Sequence, residues 1–323
     1  MKEIELIEKR KPREKHFLQE DGTILAKIYN EEIHYLKNGK YEEIDNTLVK
    51  TDTEYKNKQN SYKVFFKEES SNELMKIETG DCYLNIKLVE NNSTLLKKIK
   101  NVVFSNKNIK YENVIDNIDI EYKVLPSKIK ESIILKNSKN VPEKISFIID
   151  TNLNLELNEN KSINAKKGDE IIYTIDAPYM IDANNNINNN IYYQILNEEN
   201  LTKLSLILDN EWFKNSERAY PILIDPTITT SSSNDIMYDT YINSNHPNVN
   251  YNSADYLYVG AEVYDDISEP VVYRSLIKFN LPELSTGCEI IDARLNLVGF
   301  PVNNLYTPAG KRLIEVHKIT VPW

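Results

Sequence analysis

The sequence is short of the residues on which most catalytic and metal chemistry is built. It has two cysteines, Cys82 and Cys288, too few and too far apart for a disulfide framework or a zinc site, so both read as buried free thiols. Eight glycines supply no dinucleotide fingerprint, no P-loop and no nucleophile elbow. The four histidines, His16, His34, His246 and His317, fall in no HExxH or zinc spacing. No apolar run approaches the ~20 residues of a membrane span, so no membrane insertion is expected. Positive charge is also in deficit. With 39 basic against 49 acidic residues the formal net charge is −10, which argues against nucleic acid as a partner. The opening MKEIELIEKRKPREKHF is charged throughout and has no apolar stretch of the signal-peptide kind. The expectation is cytoplasmic synthesis with a non-classical export route, and a solvated tail over Lys9 to Lys15.

What is present is alternation. In Ile118 to Val124 (IDIEYKV), Ile118, Ile120, Tyr122 and Val124 share one face, while Asp119, Glu121 and Lys123 share the other, as in a half-buried strand. Tyr83 to Val89, Leu153 to Leu157, Ile171 to Ile175, Leu204 to Leu208 and Ile290 to Val298 repeat the pattern. Asp21-Gly22, Asn38-Gly39, Gly80-Asp81 and Gly168-Asp169 punctuate it as turns. Helical periods are nearly missing; Asn210 to Asn215 has room for one turn. These features predict an all-β chain of sandwich or barrel type. Composition breaks near Asn137 to Pro142 and at the Ser/Thr stretch 229–234 divide it into β domains at 1–136 and 137–228, a linker at 229–234, and a last unit at 235–323. Asn is in excess, to the point of NNNINNN at Asn184 to Asn190, as an AT-rich genome would produce.

Tyr238 to Gly260 reads YDTYINSNHPNVNYNSADYLYVG. Its Asp and Asn side chains, Asp239, Asn245, Asn248, Asn250 and Asp255, can supply the oxygens that Ca²⁺ takes from irregular loops; they also build turns. Its tyrosines, Tyr241 and Tyr251 among them, can stack on sugar rings while Asn248 and Asn250 bond hydroxyls. Strand packing is the other use of such tyrosines, above all for Tyr256 and Tyr258, which share a face.

Several segments resemble a known family. Asn113 to Leu135 (NVIDNIDIEYKVLPSKIKESIIL), Asp176 to Asp182 (DAPYMID), Ala219 to Thr227 (AYPILIDPT) and the early IHYLKNGKYEEIDNTL are similar to the N-terminal regions of Gram-positive wall-associated and RHS (YD-repeat) proteins. DTYINSNHPNVNY, LYVG, RSLIKFNLPEL and IDARLNLV resemble, in order, the DNRLRE domain, a jelly roll related to carbohydrate-binding modules. The resemblance stops part-way through that domain, and Asn252 stands where the family has a glycine. It implies tandem β-sandwich-like units followed by an incomplete β-jelly-roll. It also implies a structural calcium at Asp239, Asn250 and Asp255, and a cell-surface or extracellular setting. The function expected is non-catalytic: a binding and display module within a larger wall-associated or RHS-toxin-like protein, whose jelly roll binds surface or wall polysaccharide through Tyr241, Tyr251, Asn248 and Asn250. The alternative is a structural subunit that joins another copy by strand addition at the unfinished C-terminal sheet.

Overall fold

The computed structural model describes residues 3–68, 71–89, 98–198, 201–216, 218–230, 237–251, 256–263, 269–279, 289–297 and 314–320. Among the described residues the chain is almost entirely antiparallel β, with no closed barrel. It divides into two compact units, Met1–Ser233 and Asn234–Trp323.

Two large sheets make up most of the first unit. One has eight strands in the order Tyr192–Glu198, Leu201–Ile207, Lys144–Thr151, Cys82–Leu88, Glu73–Thr79, Lys63–Lys67, Glu54–Gln59 and Asp45–Lys50. The other runs from Asn101–Ser105 through Asn108–Ile115, Ile118–Val124, Lys128–Leu135, Ile228–Thr230, Glu170–Ile175 and Ile163–Lys167 to Asn154–Leu157. Tyr179–Ile181, Ile187–Asn188 and Ile222–Asp225 branch from it. The alternating residues decide which faces meet. Ile118, Ile120, Tyr122 and Val124 are all buried, and with Val64, Phe66, Leu74, Ile77, Leu84 and Leu88 of the other sheet they form one continuous core. Phe66 and Tyr122 meet across the layers with ring centroids 5.4 Å apart. The Tyr111 hydroxyl crosses as well, donating to the Lys67 and Leu74 carbonyls at 3.0 and 2.7 Å. Each such side chain contributes ~1.5–3 kcal/mol by leaving water, so packing of two sheets, not either sheet alone, stabilises the unit.

A boundary near residues 137–142 was expected, and the sheets show otherwise. Lys144–Thr151 pairs with Cys82–Leu88, and Lys128–Leu135 pairs with both Ile222–Asp225 and Ile228–Thr230. Segments from both sides of 137 therefore share both sheets, because hydrogen-bond pairing joins strands far apart in sequence that no composition shift reports. The 229–234 stretch begins inside a strand, at Thr229 and Thr230; residues 231–236 lie outside the described ones.

Turn chemistry gives some of the asparagines a structural use. Of seven non-glycine residues with positive φ among those described, six are Asn: Asn38, Asn106, Asn113, Asn117, Asn140 and Asn185. Asn tolerates the left-handed region because its short polar side chain bonds locally, so a chain with eight glycines turns its corners on asparagine. Asn38-Gly39, both at positive φ, closes the Lys37↔Lys40 hairpin in two residues.

Ahead of the sandwich lie a three-stranded sheet, Ile4–Glu5, Glu14–Leu18 and Ile24–Ile28, and the hairpin His34–Lys37/Lys40–Glu43. The basic run expected to be a solvated tail is built into this region. Arg13 is buried and bonds the Asn30 carbonyl, and Arg10 bonds Glu5 with two nitrogens at 2.7 and 3.0 Å.

In the second unit the described strands are Met237–Asn243, Val271–Phe279 and Gly260–Glu262, with Val271–Phe279 central. The strand expected over Ile290 to Val298 is not formed in residues 289–297, where Ile291 is 80% exposed and Leu297 65%. An alternating pattern makes a strand only when a neighbour takes up its hydrogen bonds, and none does so among the described residues.

Candidate functional site

Three clusters carry the chemistry of the described residues. The first is the tyrosine group anticipated in the second unit. Tyr241 is buried and stacks on Tyr251, with centroids 4.1 Å apart and planes 19° apart. Tyr258 meets Tyr241 edge-on at 5.0 Å, and Tyr273, from the central strand, lies 5.7 Å from Tyr258. Burial pushes the Tyr241 hydroxyl up to about 12. The rings stack on one another, and Tyr241 has no exposed face to offer a sugar. Asn248 and Asn250 sit exposed in the adjoining loop, and Asn243 anchors its start by accepting the Asn245 amide at 2.9 Å. Asp239 lies on the first strand opposite Ile277, with burial raising its carboxyl. Asp255 lies outside the described residues. No calcium cage is therefore defined by the residues described. Tyr256 and Tyr258 stand in no strand and are 58% and 41% exposed, contrary to the strand-packing expectation. Replacing Tyr251 by Ala removes one stacked pair. The expected cost to the second unit is about 1 kcal/mol, read as a lower urea midpoint, with Tyr251→Phe near wild type.

The second cluster was not anticipated. Three of the family-like segments converge in one sheet: Lys128–Leu135 pairs with Ile222–Asp225 through Ile133↔Ile224, which pairs with Tyr179–Ile181 through Met180↔Ile224. Inside this corner Glu131 is 4% exposed and takes a hydrogen bond from the Tyr122 hydroxyl at 2.9 Å. It borders a cavity of about 20 Å³ whose other walls include Ile133, Phe147, Ile149, Tyr193 and Leu204, room for about one water. Burial, with the Asp225 charge nearby, pushes Glu131 up to about 8. Burial also pushes Asp176 up to about 6. Asp225 is tied down by Thr227 Oγ1 at 2.6 Å, the Thr227 amide at 3.1 Å and the Tyr179 hydroxyl at 3.1 Å. The signal for Glu131 was legible: in KIKESIIL it occupies a position of the apolar face with Ile129, Ile133 and Leu135.

The third cluster is Glu5, His34 and Glu43, which bring one ligand atom each within 4.8 Å of one another. His34 Nδ1 meets the Lys11 carbonyl at 2.8 Å. Such a set suits a divalent ion in outline. Both carboxylates are already taken by protein cations, however: Glu5 by Arg10, and Glu43 by Lys15 at 2.5 Å and Arg10 at 3.3 Å. The Arg10 bonds hold Glu5, and the Lys15 bond holds Glu43, below the usual carboxylate range. The cluster is an ion-pair network that fastens the N-terminal sheet to the hairpin.

Comparison with known proteins gives the site its context. Over 272 residues, 78% of this chain, the sequence is 25% identical to the tRNA3(Ser)-specific nuclease WapA of Bacillus spizizenii. It is equally similar to the tRNA nuclease WapA of Bacillus subtilis strain 168. The chain resembles tRNA nucleases. No family model matches it. The aligned part is 11% of each WapA protein, so the chain spans about a tenth of the length of these relatives. The matches overturn four expectations drawn from the sequence: a non-catalytic glycan-binding display module, a strand-adding structural subunit, a chain without enzymatic association, and a partner set without nucleic acid. The relatives of WapA type are named as enzymes, and their named substrate is tRNA.

Proposed function

We propose that this chain works as part of a tRNA nuclease, with transfer RNA the substrate of the whole protein. The cell-surface or extracellular setting implied by its likeness to wall-associated and RHS-type proteins belongs to the same proposal. The similarity to the WapA nucleases over 272 residues carries the reading. The geometry limits where cleavage can occur. A general acid or base must come within hydrogen-bond reach of the reacting atom. Glu131, although its raised pKa resembles that of a catalytic acid, is sealed between two sheets and cannot reach a phosphodiester. Its role is in the fold.

The test uses the complete gene product that contains these residues, incubated with total tRNA and separately with duplex DNA, and resolved on denaturing gels. Discrete tRNA fragments with intact DNA are the expected result. Full-length tRNA at every time point would overturn the reading.

A further inference from the structure

The joint between the N-terminal sheet and the hairpin His34–Lys37/Lys40–Glu43 closes around one buried imidazole. His34 is 1% exposed. Its amide donates to the Pro12 carbonyl at 3.0 Å, and its Nδ1 lies 2.8 Å from the Lys11 carbonyl. A carbonyl can only accept, so Nδ1 carries the proton of the neutral ring and Nε2 is left with a lone pair. That Nε2 is buried and has no hydrogen-bond partner among the described residues.

Counting charges shows what a second proton would meet. Around the ring stand Glu5 of the first strand, Arg10 after the single helical turn Ile7–Lys9, Lys15 of the second strand and Glu43 of the hairpin. Arg10 takes both oxygens of Glu5, at 2.7 and 3.0 Å, and reaches Glu43 at 3.3 Å. Lys15 holds Glu43 at 2.5 Å. Two cations therefore balance two carboxylates while the ring is neutral. Protonation makes it three cations against two carboxylates, with the new charge on a ring closed to water. A buried charge without a partner of its own is costly. Burial, with the charges of Arg10 and Lys15, accordingly holds the ring below the ordinary 6.5, against the pull of the Lys11 carbonyl and Glu43.

We propose that His34 is a proton-operated latch: its neutral ring keeps the N-terminal sheet docked on the hairpin, and protonation in mildly acidic solution releases residues 4–28 while the two-sheet sandwich stays folded. A group that folding makes harder to protonate favours the docked state fully above its unfolded value and progressively less below it, so the latch weakens as pH falls past 6.5. Glu5 and Glu43 lie below the ordinary carboxylate value of 4.5 and stay ionised through that window. Glu32, two residues before the ring, is raised by burial and so acts in the opposite sense, adding stability on acidification.

The test is amide hydrogen exchange of the full chain at pH 7.5, 6 and 5, expressed as protection factors corrected for the intrinsic rate, with the His34 ring titrated by NMR. Protection in Glu14–Leu18 and Ile24–Ile28 should fall by up to about tenfold per pH unit below 6.5, while Cys82–Leu88 and Ile118–Val124 lose none. His34→Asn keeps a donor for the Lys11 carbonyl but cannot titrate, and should abolish the fall. His16→Gln, which removes the other histidine of this region, should leave it as in wild type. Should His34→Asn fail to fold, the ring titration and the exchange of the wild-type chain still decide. A fall that persists in His34→Asn, a His34 ring that titrates at or above 6.5, or equal loss from sheet and sandwich would sink the latch.

Discussion

Glu131→Gln makes the sandwich more stable at pH 9, by up to about 5 kcal/mol, and leaves it nearly unchanged at pH 4. Burial pushes Glu131 in the folded chain up to about 8, against an ordinary value of 4.5, so the folded chain binds more protons than the unfolded chain between those values. Stability falls with rising pH wherever the folded state holds the extra proton. The relative stability from Glu131 is thus fully present below pH 4.5 and is lost as pH rises through about 8; at ~1.4 kcal/mol per unit the difference gives the figure above. Asp176 acts in the same direction over a lower window, between 3.8 and about 6. Gln keeps an oxygen for the Tyr122 hydroxyl and never ionises. Urea midpoints of wild type and variant at pH 5, 7 and 9 measure the effect, and parallel pH profiles for the two proteins would refute it.

Phe66→Ala is expected to cost the first unit ~3–5 kcal/mol. The ring is fully buried, on the strand Lys63–Lys67, and contacts Tyr122 of the opposite sheet. Its removal loses transfer free energy and leaves a cavity that two hydrogen-bonded sheets cannot close by collapsing. Val103→Ala, on an edge strand and 54% exposed, should stay within about 0.5 kcal/mol of wild type. A double-mutant cycle with Tyr122→Leu should show coupling, since the two rings share one contact. Additive effects would mean that the sheets are not clamped at this point.

Much of the fold was legible because strand periodicity is local. Ile118 to Val124 shows its buried face in seven consecutive letters, and Asn38-Gly39 announces its hairpin in two. The pairing of Lys128–Leu135 with Ile222–Asp225 was not legible, since nothing within either strand names a partner some ninety residues away. The division at residue 137 failed for that reason. The tyrosines were read from sequence as sugar-stacking or strand-packing residues, and no local pattern announces the stack of Tyr241 on Tyr251, which only the folded unit shows. Lys123 and Lys130 look in sequence like ordinary outward residues of two strands, and become a cluster only through their register.

By itself, the order of amino acids determined that this protein is built of antiparallel strands, where most of its turns fall, and that asparagine takes over from glycine at left-handed corners. These are matters of neighbouring residues and of the two-residue repeat of a strand. Only the tertiary structure decided that the sandwich is undivided, that Glu131 ends in a sealed pocket, and that Lys123 faces Lys130 across two strands. Each of these depends on which distant strand lies alongside, and that choice is made by burial of both sheets together.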